Sequence, residues 1–212
     1  MKSKDYHDYV IKDGKFVGRF DDMYKNIKDP WNQTDIKNHQ LNHTRNAGII
    51  DIARLNVKSV AEIGCGLGYY TSLIKKALPH IDIIGIDISE TAINKAKENF
   101  PHLHFEVGSI LDIEKYAKYE VILCGHSMWC ILQDIDQWFE LMLSPSSPLS
   151  SKYFINIMTF YAPGVQKYGC DYFTTLQEFI NYVPFPNIGY TETYLQPENV
   201  FETCSVFEIK RK

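Results

Sequence analysis

Two hydrophobic rhythms share this chain. Short strand-like segments recur at 59–63, 81–86, 103–107, 120–124 and 153–158. The second, an apolar run broken only by Asp82 and Gly85, reads as a buried parallel strand. Between them the apolar positions take helical spacing. From about Thr34 to Leu55 the face is Ile36, Leu41, Ile49, Ile50, Ile52, Ala53 and Leu55; from Leu67 to Leu78 a second helix is stopped by Pro79. Ser89 offers an N-cap to a third helix, with Ala92, Ile93, Ala96 and Phe100 on one face and Pro101 at its end. A fourth, Ile135 to Leu143, carries Trp138, Phe139 and Met142. The order β-α-β-α-β…β-α-β predicts an α/β fold with a doubly wound, mostly parallel sheet and right-handed crossovers. The chain then changes rhythm. Segments 188–195 and 200–209 are strand-like and separated only by Gln196-Pro197-Glu198-Asn199. So short a connection makes an antiparallel pair, giving seven strands closed by a C-terminal hairpin.

Two regions lack this patterning. Residues 1–30 are polar and aromatic with little periodicity, and the stretch after 158 is longer than a minimal connection. The expected organisation is an N-terminal cap and substrate segment over 1–45, then one domain over 46–212. A lid insertion lies at about 160–183, since long ordered loops are commonly binding loops. The Ser/Pro-rich stretch 143–151 reads as a connection between elements.

Composition narrows the function. With 212 residues and 45% hydrophobic content, the chain can bury one substantial core. A net charge of −4 offers no nucleic-acid surface, and the one basic cluster is the tail Lys210-Arg211-Lys212. Five cysteines without a C-x-x-C pair read as reduced thiols. The start has no signal-peptide core, and no apolar run reaches the roughly 18 residues of a membrane span. The expectation is a cytoplasmic protein with no nucleic-acid or membrane partner. Oligomeric state leaves no mark on the sequence.

The chemistry concentrates after the first strand. Val60 to Gly68 reads Val-Ala-Glu-Ile-Gly-Cys-Gly-Leu-Gly, and the next strand closes on Asp87. Glycines allow close backbone approach to a ligand, and a helix start offers free N–H groups. A carboxylate after the following strand can accept hydrogen bonds from a ribose diol. The dinucleotide fingerprint G-x-G-x-x-G would need glycine at Tyr69 or Thr71, and no Gly-Lys-Ser/Thr tripeptide exists for a P-loop. Taken singly, the glycines could serve only a tight turn, and Asp87 only the following helix.

Glycine loop, acid and terminal hairpin together resemble the class I S-adenosylmethionine (SAM) methyltransferases, whose fold is Rossmann-like. The resemblance covers about 45–209. Glu62-Ile63-Gly64-Cys65-Gly66-Leu67-Gly68 is similar to the family's E-x-G-x-G-x-G loop; Asp87 matches its ribose-binding acid. Gly108-Ser109-Ile110 falls where the family meets adenine, although Asp is more usual at Ser109. Cys124-Gly125-His126 falls where methyl donor meets acceptor. More narrowly, Asp29-Pro30-Trp31 is similar to the N-terminal segment of NodS-like methyltransferases, which act on nitrogen of saccharides. The resemblance implies SAM as cofactor, held by Trp31, Glu62, Gly64, Cys65, Gly66, Gly68, Asp87, Ile88, Ser109, Ile110, Cys124 and Gly125.

His126, just past the fourth strand, is the catalytic candidate, either as general base or in orienting the substrate. Met128, Trp129, Tyr161, Tyr168 and Tyr172 are candidate walls of an acceptor pocket, although for any single tyrosine ordinary packing against the sheet edge is the favoured reading. His39 and His43 share a helix face with Asp35, where substrate contact is the better reading than a metal. The expected function is methylation of a small-molecule acceptor, a saccharide or sugar nucleotide, at N or O, with no metal. Protein methylation and non-catalytic nucleoside binding stand as alternatives.

Overall fold

The structure, a computed structural model, describes residues 5–34, 39–166, 168–196 and 198–210, without the side chains of 39–43. In chain order its elements are β1 (Ile11–Lys12), β2 (Lys15–Phe16), α1 (Phe20–Asn26), α2 (His39–Arg54), β3 (Ser59–Ile63), α3 (Tyr69–Ala77), β4 (Asp82–Asp87) and α4 (Glu90–Asn99). There follow β5 (His104–Val107), β6 (Val121–Gly125), α5 (Met128–Ile131), α6 (Ile135–Leu143), β7 (Tyr153–Tyr161), α7 (Leu176–Tyr182), β8 (Asn187–Leu195) and β9 (Val200–Glu208).

The main sheet has seven strands in the order β5-β4-β3-β6-β7-β9-β8. Strands β3 to β7 pair in parallel, while β9 pairs antiparallel with both β7 and β8. The doubly wound sheet with its terminal hairpin is therefore the fold that the apolar rhythm predicts. Strand order reverses between β3 and β6, where open α/β sheets leave a crevice at the strands' carboxyl ends.

Burial follows strand alternation. Ile52 of α2 and Tyr70 and Ile74 of α3 cover one face together with Val60, Ile83 and Leu123. Trp138, Phe139 and Met142 of α6 and Phe179 of α7 cover the other with Ala61, Ile84 and Phe154. Tyr9, Val10, Met23 and Tyr24 form a small separate cluster with Leu67 and Ala92, which docks the N-terminal segment onto α3 and α4. Asp21 accepts from Thr91 N–H (2.9 Å) and Ser89 Oγ–H (3.0 Å), pinning α1 to the start of α4. Ser89 itself caps that helix by accepting from Ala92 N–H at 3.1 Å.

Three expectations change. The spacing Phe20, Met23, Tyr24, Ile27 is helical, so the region treated as patternless contains α1. A boundary at residue 45 falls inside α2, which packs on β7 and β9 as part of the main domain. The lid proposed for 160–183 divides in two. Its second half holds α7, and Phe173, Leu176, Phe179 and Val183 are buried in the main core.

Candidate active site

The crevice at the switch point is a cavity of about 300 Å³. Its floor is the carboxyl edge of the sheet: Ile63 and Gly64 after β3, Asp87 and Ile88 after β4, Gly108 to Ile110 after β5, and Gly125 to Ser127 after β6. Its roof comes from the N-terminal segment through Phe16, Phe20, Tyr24, Trp31 and Gln33. Ile88 is 56% exposed here although large and apolar, and Ile110 beside it is buried. Such a pair makes an apolar slot for a flat ring.

Sterics explain two of the glycines. Gly64 has φ 77°, and a Cβ there would lie 2.5 Å from Ser127 Cβ. Ser127 is fixed because its hydroxyl donates to Ile63 O at 2.8 Å, tying the ends of β3 and β6 together. Gly66 has φ 55°, and its Cβ would strike Tyr24 Oη and Gln33 Oε1 at 2.6 Å. The loop's amides are not free, contrary to expectation. Gly64 and Cys65 N–H donate to Ile86 O, Gly66 N–H to Asp87, Leu67 N–H to Gln33 Oε1, and Gly68 N–H to Cys65 O. The loop thus offers close approach rather than donors. Gln33 is held in place by Asp29, which accepts from Gln33 N–H and Thr34 N–H, each at 2.8 Å.

Asp87 faces the cavity and accepts from Gly66 N–H and Ser89 N–H, each at 2.9 Å. Burial raises its carboxyl to about 6, against the pull of those two bonds. Each oxygen keeps a second lone pair for a ligand hydroxyl. Glu62, expected in the crevice, lies beneath it. It is buried, accepts from Thr71 Oγ–H at 2.5 Å and does not line the cavity. Burial moves it to about 7, with Thr71 and the Arg45 charge opposing.

Arg45 is the residue that sequence reasoning missed. It is 8% exposed and lines the cavity, and its Nε has no hydrogen-bond partner among the described residues. Its guanidinium sits over the Tyr70 ring at 5.7 Å, and Tyr70 Oη–H donates to its carbonyl at 2.9 Å. No motif marks it, because it belongs to the helix before the glycine strand. An unpaired buried guanidinium fits a carboxylate. Arg45, Asp87 and the Ile88–Ile110 pair thus set a cation, a hydrogen-bond acceptor and an apolar slot around one cavity.

The remaining candidates spread out. Cys65 packs beneath Gly85 with Phe105 and Ala96, and Gly68 abuts the Phe105 ring. Cys124 and Met128 are fully buried core residues, so neither reaches the cavity. Ser109 does reach it, although its Oγ also accepts from Leu111 N–H. A second cavity of about 760 Å³ adjoins the first and shares Trp31, His126 and Cys130 with it. Trp129, Tyr161 and Tyr168 line this groove. Tyr172 does not; it stacks edge-on against Phe173 and Tyr182. The side chains of His39 and His43 and all of Asp35 lie outside the described residues. Among the described residues, no cluster of His, Cys, Asp or Glu is arranged to hold a metal, and no helix is long and apolar enough to cross a membrane.

His126 stands between the two cavities. Its φ is 60°, a left-handed turn that histidine tolerates better than most residues, and its N–H donates to Ile157 O at 2.7 Å. Enclosure and the nearby Arg45 charge push its imidazole down to about 3. The ring is therefore neutral at physiological pH and a weak base.

A family model described as "Methyltransferase domain" matches residues 61–144. That span runs from β3 to the residue after α6 and resembles a methyltransferase domain. The chain is similar to "Putative methyltransferase 235L" of Invertebrate iridescent virus 6, 30% identical over 103 residues, 48% of this chain and 38% of that protein. It also matches the trans-aconitate 2-methyltransferase of Afipia carboxidovorans, 39% identical over 57 residues, 27% and 22% of the two chains. The chain thus spans well under half the length of these curated relatives. The solved N-methyltransferase NodS of Bradyrhizobium japonicum WM9 shares the fold. Its TM-score is 0.56 at 15% identity, over 84% of this chain and all of that one. The glycine loop and Asp87 lie inside the span that the family model matches.

Proposed function

We propose that this methyltransferase domain moves a methyl group from SAM to nitrogen or oxygen of a small-molecule acceptor. One observation carries the reading: the switch-point cavity places Asp87, the Ile88–Ile110 slot and the unpaired Arg45 around a single volume. SAM supplies an already activated methyl on a sulfonium. The protein's task is alignment and exclusion of water. Trp31 and Tyr24 close the roof, and Asp87 and Arg45 grip the two polar ends.

The adjoining groove suits the acceptor. It is lined by the aromatic residues Tyr6, Trp31, Trp129, Tyr161 and Tyr168, beside Asp5, Asp8 and Asp13. Its His7 and Lys12 are paired with Asp5 and Asp8. Aromatic faces with carboxylates suit a neutral or amino saccharide, and oppose a polycarboxylate or a sugar nucleotide's diphosphate. A neutral amine brings its own lone pair, so the weak basicity of His126 favours nitrogen as acceptor.

The test is calorimetry with SAM and S-adenosylhomocysteine (SAH), then turnover with amino saccharides. Expected are saturable binding of both, strongly weakened by Asp87→Ala, and methylation of an amine. Equal binding by the variant overturns the site assignment; turnover of tricarboxylates alone overturns the acceptor class.

A further inference from the structure

A third cavity continues the line of the first two. It holds about 660 Å³ and meets the aromatic groove at Tyr161 and Gln166, which line both. Among the described residues, none lines both this cavity and the one that holds Asp87. The order is therefore linear: the switch-point cavity, the groove past His126, then this distal space.

Strand geometry leaves it open. Phe160 of β7 lies opposite Phe201 of β9, and Phe201 lies opposite Tyr194 of β8. Alternation then puts Tyr190 and Glu192 on the same face of the sheet. Helix α7 packs on that face through Phe179 and Phe207, whose ring centroids are 5.9 Å apart. With seven residues it covers only part of it. Beside it the sheet, α7 and the segment 162–166 enclose a space walled by Phe160, Leu176, Ile180, Tyr190 and Phe201. Tyr190 is 58% exposed and Tyr161 42%, so large apolar surface stands uncovered at this cavity.

Two further observations describe the occupant. Among the described residues that line the cavity, Glu192 carries the single charge, which opposes an anionic group. At the junction, the Gln166 amide is held by donating to Tyr168 O at 3.0 Å and Phe173 O at 3.4 Å. Its Oε1 is buried and has no partner among the described residues. A buried oxygen in that state calls for a donor. A molecule leading out of the groove past Tyr161 thus meets a hydrogen-bond acceptor first and apolar walls afterwards.

We propose that the distal cavity binds an uncharged apolar tail of the acceptor molecule, whose polar ring lies in the aromatic groove with a hydroxyl donating to Gln166. The acceptor is then an amphipathic glycoside rather than a free sugar. The proposal rests on the methyltransferase reading for the fate of the ring, though not for the preference of the cavity.

Methyl NMR on the full chain labelled at isoleucine reads the cavity without turnover, and Ile180→Val assigns the signal. The probes are glucosamine, its β-linked dimer and hexyl glucosaminide, each titrated with SAH present. Expected is a saturable Ile180 shift with the hexyl glycoside alone, at an affinity at least about tenfold above that of the other two. Tyr190→Asp, at an exposed position, should cut that preference to within about twofold. Gln177→Trp, which fills the same space from an exposed position on α7, should do likewise. An unmoved Ile180, equal binding of the hexyl glycoside and the dimer, or a preference kept in both variants overturns the proposal. So does an Ile180 signal that follows protein concentration instead of ligand, which would put a second copy of the chain on this face. A hexyl-specific shift without methylation of any probe would instead defeat the methyltransferase reading and leave the distal cavity standing.

Discussion

At the residue scale, the two polar ends of the cavity make separable predictions. A charge-assisted hydrogen bond is worth about 1.5–3 kcal/mol, or roughly 10- to 100-fold in affinity. Arg45→Gln should therefore weaken SAH by at least about tenfold and leave adenosine, which has no carboxylate, unchanged. Calorimetry with both ligands checks this, and equal losses would remove the carboxylate assignment. Asp87 predicts a pH dependence. Its free-state carboxyl sits at about 6, and donors from a ribose favour the ionised form, so the complex binds fewer protons than the free protein. Affinity for SAH should fall as pH drops from 8 to 5, by up to about tenfold per unit below 6. Asp87→Asn should bind more weakly and lose that slope. Asp87 was legible in the sequence because it ends an apolar run after the glycine loop. Arg45 was not, since burial beside Glu62 and Tyr70 depends on how α2 crosses the sheet.

At the element scale, the glycine loop is held by contacts from distant segments. Gly64 must admit Ser127, and Ser127 must bond Ile63 O, because β3 and β6 pair in parallel register. Gly64→Ala meets both a backbone penalty of about 1–2 kcal/mol for the left-handed region and a collision. It should lower the melting temperature by well over the few degrees that about 1 kcal/mol represents. Adding Ser127→Gly should recover only the steric part, and full recovery would show that conformation is not limiting. The strands and α6 were readable because burial on both faces leaves continuous apolar runs. The short hairpin β1–β2, the helix α1 and the core-packed α7 were not, since each buries a few side chains against surfaces supplied by other elements. The same reason misplaced Met128, Cys124 and Tyr172. A sequence position near a strand's carboxyl end does not say whether a side chain turns to the cavity or to the core.

At the scale of the whole molecule, two buried carboxyls and a docked cap couple the site to stability. Glu62 near 7 binds a proton more readily folded than unfolded, so its contribution is full below about 4.5 and lost as pH rises through 7. His126 runs oppositely below its ordinary value, so the informative quantity is a difference. The melting temperature of the wild type relative to Glu62→Gln should fall between pH 5 and 8. The cap gives the second consequence. Residues 9–24 attach through their own small cluster rather than through the sheet core, and Gln33 and Tyr24 lie directly over the glycine loop. Few shared apolar contacts mean a low opening free energy, well beneath that of the β3–β6–β7 centre. A ligand enclosed between that roof and the sheet must pass the cap and then hold it down. By mass action a ligand binding only the closed form at 100 times its Kd stabilises it by about 2.7 kcal/mol. Hydrogen exchange should thus show α1 amides exchanging far faster than those of β3 and β6 in the free protein. SAH should slow α1 by up to about a hundredfold while leaving β8, remote from both cavities, unaffected. Uniform protection, or none in α1, would mean that the ligand enters without the cap.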